Sequence, residues 1–349
     1  MNSRFLPEDV TLLLKDITGL VTPLPSDERE KRIQSGVHYS EMLPLEYQPS
    51  PDYIRIYEES LDLFGQSVAD AVTRLSDRIV RQKGRDAVIV SLARAGTPIG
   101  VLIRRCIHMK YGWDCPHYSI SIIRDRGMDR NAMAYILARH DPADIQFVDG
   151  WTGKGVIYRE LKKEISVFPG VSDNLAVVAD PAWLTDLCGT HEDIMIPSSC
   201  LNCTVCGLIS RTFLRDDIIG ITDFHGAAYY SELAAEDRTY EFIDRIQSLF
   251  RMNPPPLPEE PPAPGSMDVD ILARRYNISN LNYIKPGIGE TTRVLLRRVP
   301  WKVIIDEKHR ESPELRHIIQ LAKERNTEIE YTGLKQYKCC GLIRQLADV

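Results

Sequence analysis

Short apolar runs alternate with stretches of helical period along most of the chain. Asp86–Leu92 (DAVIVSL), His117–Ile123 (HYSISII), Ile145–Asp149 (IQFVD) and Leu175–Asp180 (LAVVAD) are brief, β-branched and predicted to be strands. Ile194–Ile196 and Ile218–Ile221 are shorter candidates. Between them, the stretch after Leu92 turns helical as far as Tyr111, and Arg130–His140 and Thr152–Ile165 carry the same period. Strands alternating with helices imply an α/β fold, a mostly parallel sheet with helices on both faces. Ligands of such sheets sit outside the carboxyl ends of the strands. The loops that matter are therefore those after Leu92, Ile123, Asp149 and Asp180.

The alternation stops at Met252–Ser266 (MNPPPLPEEPPAPGS), which holds 7 of the 22 prolines and favours extended polyproline II. It divides the chain into an N-terminal extension at 1–36, a body at 37–251, a linker at 252–266 and a small C-terminal domain at 267–349. Charge follows that division. Residues 265–349 carry 15 Lys and Arg against 11 Asp and Glu, net +4, so the remainder holds −10 of the −6 total. A basic tail on an acidic body suits an anionic partner such as RNA, while the overall sign argues against nucleic-acid binding by the whole surface. At 43% apolar and 26% charged residues the 349-residue chain is globular, and it has no run long and apolar enough to span a membrane. No secretory leader is recognisable at the N-terminus, and the eight irregularly spaced cysteines are expected to be reduced thiols in the cytoplasm.

Two of the loops carry anion chemistry. In Phe147-Val148-Asp149-Gly150-Trp151-Thr152-Gly153-Lys154-Gly155 a strand ends in a carboxylate and a Gly/Thr/Lys turn opens a helix. That places free N–H groups and a positive helix end where a phosphate can sit. In Ser91-Leu92-Ala93-Arg94-Ala95-Gly96, small residues surround one arginine able to grip an anion bidentately. Two such loops suggest a ligand with phosphates at opposite ends.

A different chemistry is offered by Cys200, Cys203 and Cys206 in PSSCLNCTVC. Pro197-Ser198-Ser199 predicts a helix start that would lower the Cys200 thiol pKa, and Asp223-Phe224-His225 supplies a base with an orienting carboxylate. The alternatives are buried inert thiols and a metal or iron–sulfur site that lacks a fourth ligand.

The two phosphate loops together resemble those of the type I phosphoribosyltransferases. The resemblance implies phosphoribosyl pyrophosphate with Mg²⁺ as the ligand, with no metal site from the protein alone, and an acceptor that the sequence does not name. It implies that Asp149 holds the ribose and favours an oxocarbenium-like centre. Gly150, Thr152, Gly153, Lys154 and Gly155 would take the 5-phosphate. Ala93, Arg94, Ala95 and Gly96 would take the pyrophosphate, with Arg124 and Arg126 reaching in from the mobile segment Ser119–Met133. Gly150 stands where that family has a second acidic residue, and Trp151 is bulkier than the family's residue. Enzymes of this fold often pair, so a homodimer is expected.

Residues 265–349 resemble the RNA-binding domain of Pelota and the kink-turn-binding ribosomal proteins, a small α/β/α domain. Pro286–Arg293 matches a G-x-N-E-x-T-K loop with Gly289 for the asparagine and Arg293 for the lysine, and Tyr337–Gly341 matches the loop before the terminal helix. The resemblance implies RNA contacts from Gly287, Glu290, Thr291, Arg293 and Lys338. A phosphoribosyltransferase-like body with a Pelota-like tail is similar to one bacterial family of tellurium-resistance and stress operons, also labelled the StiP cysteine proteases. HYSEMLP (His38–Pro44), FVDGWTGKG, PSSCLN and DFHGA look like its landmarks. Phosphoribosyl transfer is the main expectation. A cysteine protease with Cys200, His225 and Asp223, and a non-catalytic nucleotide- or RNA-binding module, are the alternatives.

Overall fold

The computed structural model describes residues 1–257 and 266–345, so much of the expected linker and the last four residues lie outside the described residues. The central sheet runs Thr11–Leu12, His117–Ile123, Val88–Ala93, Ile145–Trp151, Leu175–Ala179, Cys188–Thr190, all paired in parallel. Gly127–Met128 pairs antiparallel with His117–Ile123. The α/β expectation is met: the central sheet is mostly parallel and covered by helices on both faces. Alternate residues of one strand show why its apolar run is continuous. Ile89 packs with Val72, Leu75 and Ile103, while Val88, Val90 and Leu92 pack with Ile136, Leu161 and Ile165. A strand buried on both faces has no polar alternation to display.

Ile194–Ile196 and Ile218–Ile221 form no strand; both fall in turns and irregular chain. The expected helices begin later than their patterns do, at Gly96 and Val156, because the preceding residues make the site loops. A 33-residue helix, Pro51–Lys83, had no counterpart in the sequence reading. Ser50 caps it by accepting from Tyr53 N at 3.2 Å, Pro51 occupies its first turn, and Gly84 at φ 69° ends it. It buries Tyr53, Tyr57, Leu61, Val68, Val72, Leu75 and Ile79 along one face.

The C-terminal module has its own four-stranded sheet, ordered Ile284–Pro286, Cys339–Ile343, Pro300–Asp306, Glu328–Thr332. Helices Ile288–Arg297 and Arg316–Glu324 pack together. Cys339–Gly341, expected as loop, lies within a strand. Among the described residues no helix is long and apolar enough to cross a membrane.

Candidate functional site

The C-terminal module sits on the carboxyl end of the Ile145–Trp151 strand. Asp193, at the body's sheet end, accepts from Ile288 N and Lys338 N, both at 3.0 Å. Burial pushes the Asp193 carboxyl up to about 6. Arg298 forks onto Glu30 at 2.5 and 2.8 Å. Tyr337 Oη donates to Gly153 O at 3.1 Å. Trp151 lies flat against the backbone at Gly289: a Cβ there would come within 2.2 Å of the indole.

Between the two modules lies a chamber of about 380 Å³. The body lines it with Arg124, Lys154 and Arg211, and the C-terminal module with Lys285, Arg293, Arg297 and Arg298. Asp149 and Glu290 are the carboxylates on its wall. Seven basic side chains and two carboxylates line it, with Glu30 also paired to Arg298 and Asp125 to Arg124, so the balance still favours an anion. Gly155, at φ 76°, supplies the left-handed turn that starts the Val156–Ile165 helix at its edge. Tyr39, from the HYSEMLP segment, holds its ring 4.3 Å from the Arg211 guanidinium and 5.3 Å from that of Arg124, and its hydroxyl accepts from Arg124 N at 2.8 Å. Crowding and burial tune the charges. Burial raises Asp149 to about 6, against the opposing pull of Arg293. Burial and the neighbouring Lys285 draw Lys154 down to about 7, burial draws Lys285 to about 8, and burial beside Arg29 draws Arg211 to about 9.

Several expected site residues are placed differently. Arg94 does not reach the chamber: its guanidinium is buried on Glu46 Oε1 at 2.8 Å and Ile209 O at 2.7 Å. Ala93 ends its strand and Ala95 lines a separate small cavity, while a Cβ on Gly96 would meet Val148 O at 2.7 Å. At Gly96 the loop abuts the next strand. Arg124 lines the chamber, but Arg126 pairs with Glu41 outside it. The Thr152 hydroxyl donates to Asp180 Oδ1. Gly150 N donates to Asp149 Oδ1 at 2.8 Å. Lys154 Nζ donates to the carbonyls of Leu281 and Ile284 in the C-terminal module, the latter at 3.0 Å.

Of the residues expected on RNA, Glu290 and Arg293 face the chamber, while Thr291 and the Lys338 side chain make their contacts within the C-terminal module. Gly287 begins the Ile288–Arg297 helix, and Glu290 and Arg293 pair at 2.6 Å on the chamber wall. Thr291 is fully buried, and Lys338 Nζ is held by Glu314 at 2.6 Å.

The cysteine cluster forms no α-helix. Pro197–Cys200 and Cys203–Val205 are single 3₁₀ turns without a side-chain cap, so no helix dipole acts on Cys200. Cys200 Sγ lies 3.9 Å from Ser60 Oγ, and burial pushes its thiol up to about 12. His225 is elsewhere, with Nδ1 2.9 Å from Ser121 Oγ and its backbone N on Asp129 Oδ2. Asp223 pairs with Lys15 at 2.6 Å. Among the described residues no hydrogen bond or ion pair joins the three. Cys203 and Cys206 are buried near Arg94.

A different cysteine meets a histidine. Cys188 Sγ, on the last strand of the central sheet, is 3.3 Å from His191 Nε2. His191 Nδ1 is 3.1 Å from the Asp180 carbonyl and 3.6 Å from Asp180 Oδ2. Trp183 stacks on the His191 ring with centroids 3.7 Å apart. Among the described residues no other cysteine makes a hydrogen-bond contact with a histidine. Cys188 is buried, and that burial, with Asp180 nearby, pushes its thiol up to about 12.

Comparison with known proteins places the whole chain. Residues 3–247 match the family model described as "Tellurite-like stress resistance cysteine protease StiP", and residues 263–345 match the PELOTA RNA binding domain. A curated protein of Acinetobacter baylyi, named Cysteine protease StiP, is 38% identical across 99% of this chain and 94% of its own length. The chain belongs to the StiP family. A hypoxanthine-guanine phosphoribosyltransferase of Bacillus anthracis is similar over 33% of the chain and 68% of its own length, at 14% identity and a TM-score of 0.25, too slight a likeness to carry an argument.

Cys188 does not stand out in the sequence beside the conspicuous cluster Cys200, Cys203 and Cys206. The signal was present in Cys188-Gly189-Thr190-His191, a thiol and an imidazole three residues apart just beyond the predicted strand that ends in Asp180.

Proposed function

We propose that the chain is a cysteine-dependent hydrolase in which Cys188 is the nucleophile, His191 the base and Asp180 the residue that orients the imidazole. The curated relative's name supports the reaction class. The 3.3 Å contact between Cys188 Sγ and His191 Nε2 is the observation that carries the residues. Nδ1–H donates to the Asp180 carbonyl, which leaves the Nε2 lone pair toward the thiol. The Sγ proton passes to Nε2, the thiolate attacks the scissile carbonyl, and the imidazolium protonates the leaving amine. Water, deprotonated by His191, then releases the acyl group. Asp180 is fixed for this task by Leu184 N at 2.7 Å, Thr185 N at 2.9 Å and the Thr152 hydroxyl. Because the thiol is buried in the resting state, turnover requires the Trp183–His191 stack to open to substrate. Eight free thiols suit a reducing, cytoplasmic setting.

Hydrolysis of a fluorogenic protein substrate by the full chain, lost after iodoacetamide treatment, is the expected result. Absence of hydrolysis together with Mg²⁺-dependent consumption of phosphoribosyl pyrophosphate would favour the second reading.

That second reading is transfer from a phosphorylated sugar, and the cation-lined chamber favours it. Its basic side chains would hold a diphosphate, and Asp149 would accept from a ribose hydroxyl or face a cationic centre. Asp149 and Glu290 are too few to hold Mg²⁺ by themselves, so the ion would enter on the pyrophosphate. The PELOTA domain match makes structured RNA another source of phosphate. With Glu290 and Arg293 turned inward, RNA would have to present a terminus to the chamber. Anion affinity should follow the chamber's protons. Lys285 and Lys154 gain charge as pH falls through about 8 and 7, and Asp149 loses charge below about 6. Sulfate, whose own charge is constant over this range, should bind more tightly at pH 6 than at pH 9 by calorimetry. Equal affinity at both would remove these groups from the site.

A further inference from the structure

Next to the chamber, and sharing Trp151, Arg293 and Arg297 with it, is a small cavity also bounded by Arg94, Ser199 and Asn202. Its space for atom centres is about 10 Å³, room for one water-sized atom or ion. Three buried polar atoms of its lining residues have no hydrogen-bond partner: Arg94 Nη2, and Trp151 Nε1 and Ser199 Oγ, whose residues also line a neighbouring cavity beside Gly289. Arg94 is 6% exposed and Ser199 4%. Unsatisfied buried donors are rare, and each calls for a partner such as a water or an ion.

Charge distinguishes those two. Arg94 is balanced by Glu46 at 2.8 Å and Arg293 by Glu290 at 2.6 Å. Arg297 donates to the neutral Asn202 Oδ1 at 2.6 Å, and among the described residues no carboxylate lies within ion-pair distance of it. The lining is therefore left with one uncompensated positive charge and a set of donors; Glu290 pairs with Arg293 and Glu46 Oε1 with Arg94, while Glu46 Oε2, outside the lining, has no hydrogen-bond partner. Water would satisfy the donors and leave the charge; a monoanion would do both.

We propose that this cavity binds a single halide-sized anion, which ties the C-terminal module to the body. The body supplies Arg94, Trp151, Ser199 and Asn202, and the helix Ile288–Arg297 supplies Arg293 and Arg297, so neither part forms the site alone. The site is separate from the proposed thiol centre and does not rest on it.

The test uses the full chain, exchanged into gluconate, whose anion is too large for the cavity. Chloride, bromide and iodide are titrated at constant ionic strength, and the thermal midpoint and tryptophan emission are followed. A saturable rise in midpoint with chloride and bromide, and a saturable component of iodide quenching, are expected. Ser199→Ala should raise the half-saturating chloride concentration ~5-fold, the equivalent of one hydrogen bond. Trp151→Phe should do the same and remove the saturable quenching. A strictly linear response to every halide, or saturation unchanged in both variants, would overturn the proposal and leave the cavity to water.

Discussion

Cys188→Ala is expected to lower hydrolysis by at least ~10³-fold, and His191→Ala by a comparable factor, because residues acting as one catalytic set fail together. Cys200→Ala should keep activity within about twofold of the native chain. Its cost should be in stability instead, since Cys200 is fully buried against Ser60 and the helix Pro51–Lys83, and removing a buried sulfur leaves a void worth about 1 kcal/mol. Initial rates and urea midpoints of the three variants, measured side by side, separate the two effects. The opposite pattern, with Cys200→Ala inactive and Cys188→Ala active, would return the nucleophile to the PSSC segment and require a rearrangement that exposes it.

Gly289→Asn should detach or distort the C-terminal module, although it restores the residue usual in the G-x-N-E loop. A Cβ at 289 would lie 2.2 Å from Trp151 Cε2 and 2.5 Å from its Nε1. The indole cannot easily retreat, because the Arg293 guanidinium lies 4.5 Å from its ring centroid. Overpacking of this kind costs about 1–3 kcal/mol. A less stable, earlier transition in urea and faster proteolysis between the modules are expected. Trp151→Ala combined with Gly289→Asn should recover part of the loss, and the double-mutant cycle should give a favourable coupling. Additive effects would show that the two residues do not touch.

This pair also explains what the sequence could and could not tell. Trp151 and Gly289 each depart from the pattern of a different family, and each departure looked like a local weakness of its own motif. Together they are one contact: the large residue of the first loop fills the space left by the missing side chain of the second. No periodicity links positions 138 residues apart, so the docking of the modules was invisible. The proline-rich segment and the change in charge mark a separate tail, whereas Asp193 and Lys154 of the body and Glu30 of the N-terminal extension all bond the C-terminal module.

The central strands were legible because their apolar runs are short, β-branched and bounded by turn residues. The helix Pro51–Lys83 was not, since its buried face mixes tyrosine, serine and alanine among the aliphatic positions. Of the chamber wall, Arg124 was marked only by the phosphoribosyltransferase resemblance, while Asp149 and Lys154 were marked by their loop at a strand end, because strand ends in such sheets meet at one edge. Arg94 misled for the same reason: its loop is at that edge, but Glu46, distant in sequence, holds its side chain inside.

The central claim is that Cys188 is the working thiol. The most direct measurement is to treat the native full chain with a peptidyl chloromethyl ketone until hydrolysis stops, then map the alkylated residue by mass spectrometry. A single adduct on Cys188, absent in His191→Ala, is the expected result. Inactivation with the adduct on Cys200 or any other cysteine, and Cys188 unmodified, would contradict it.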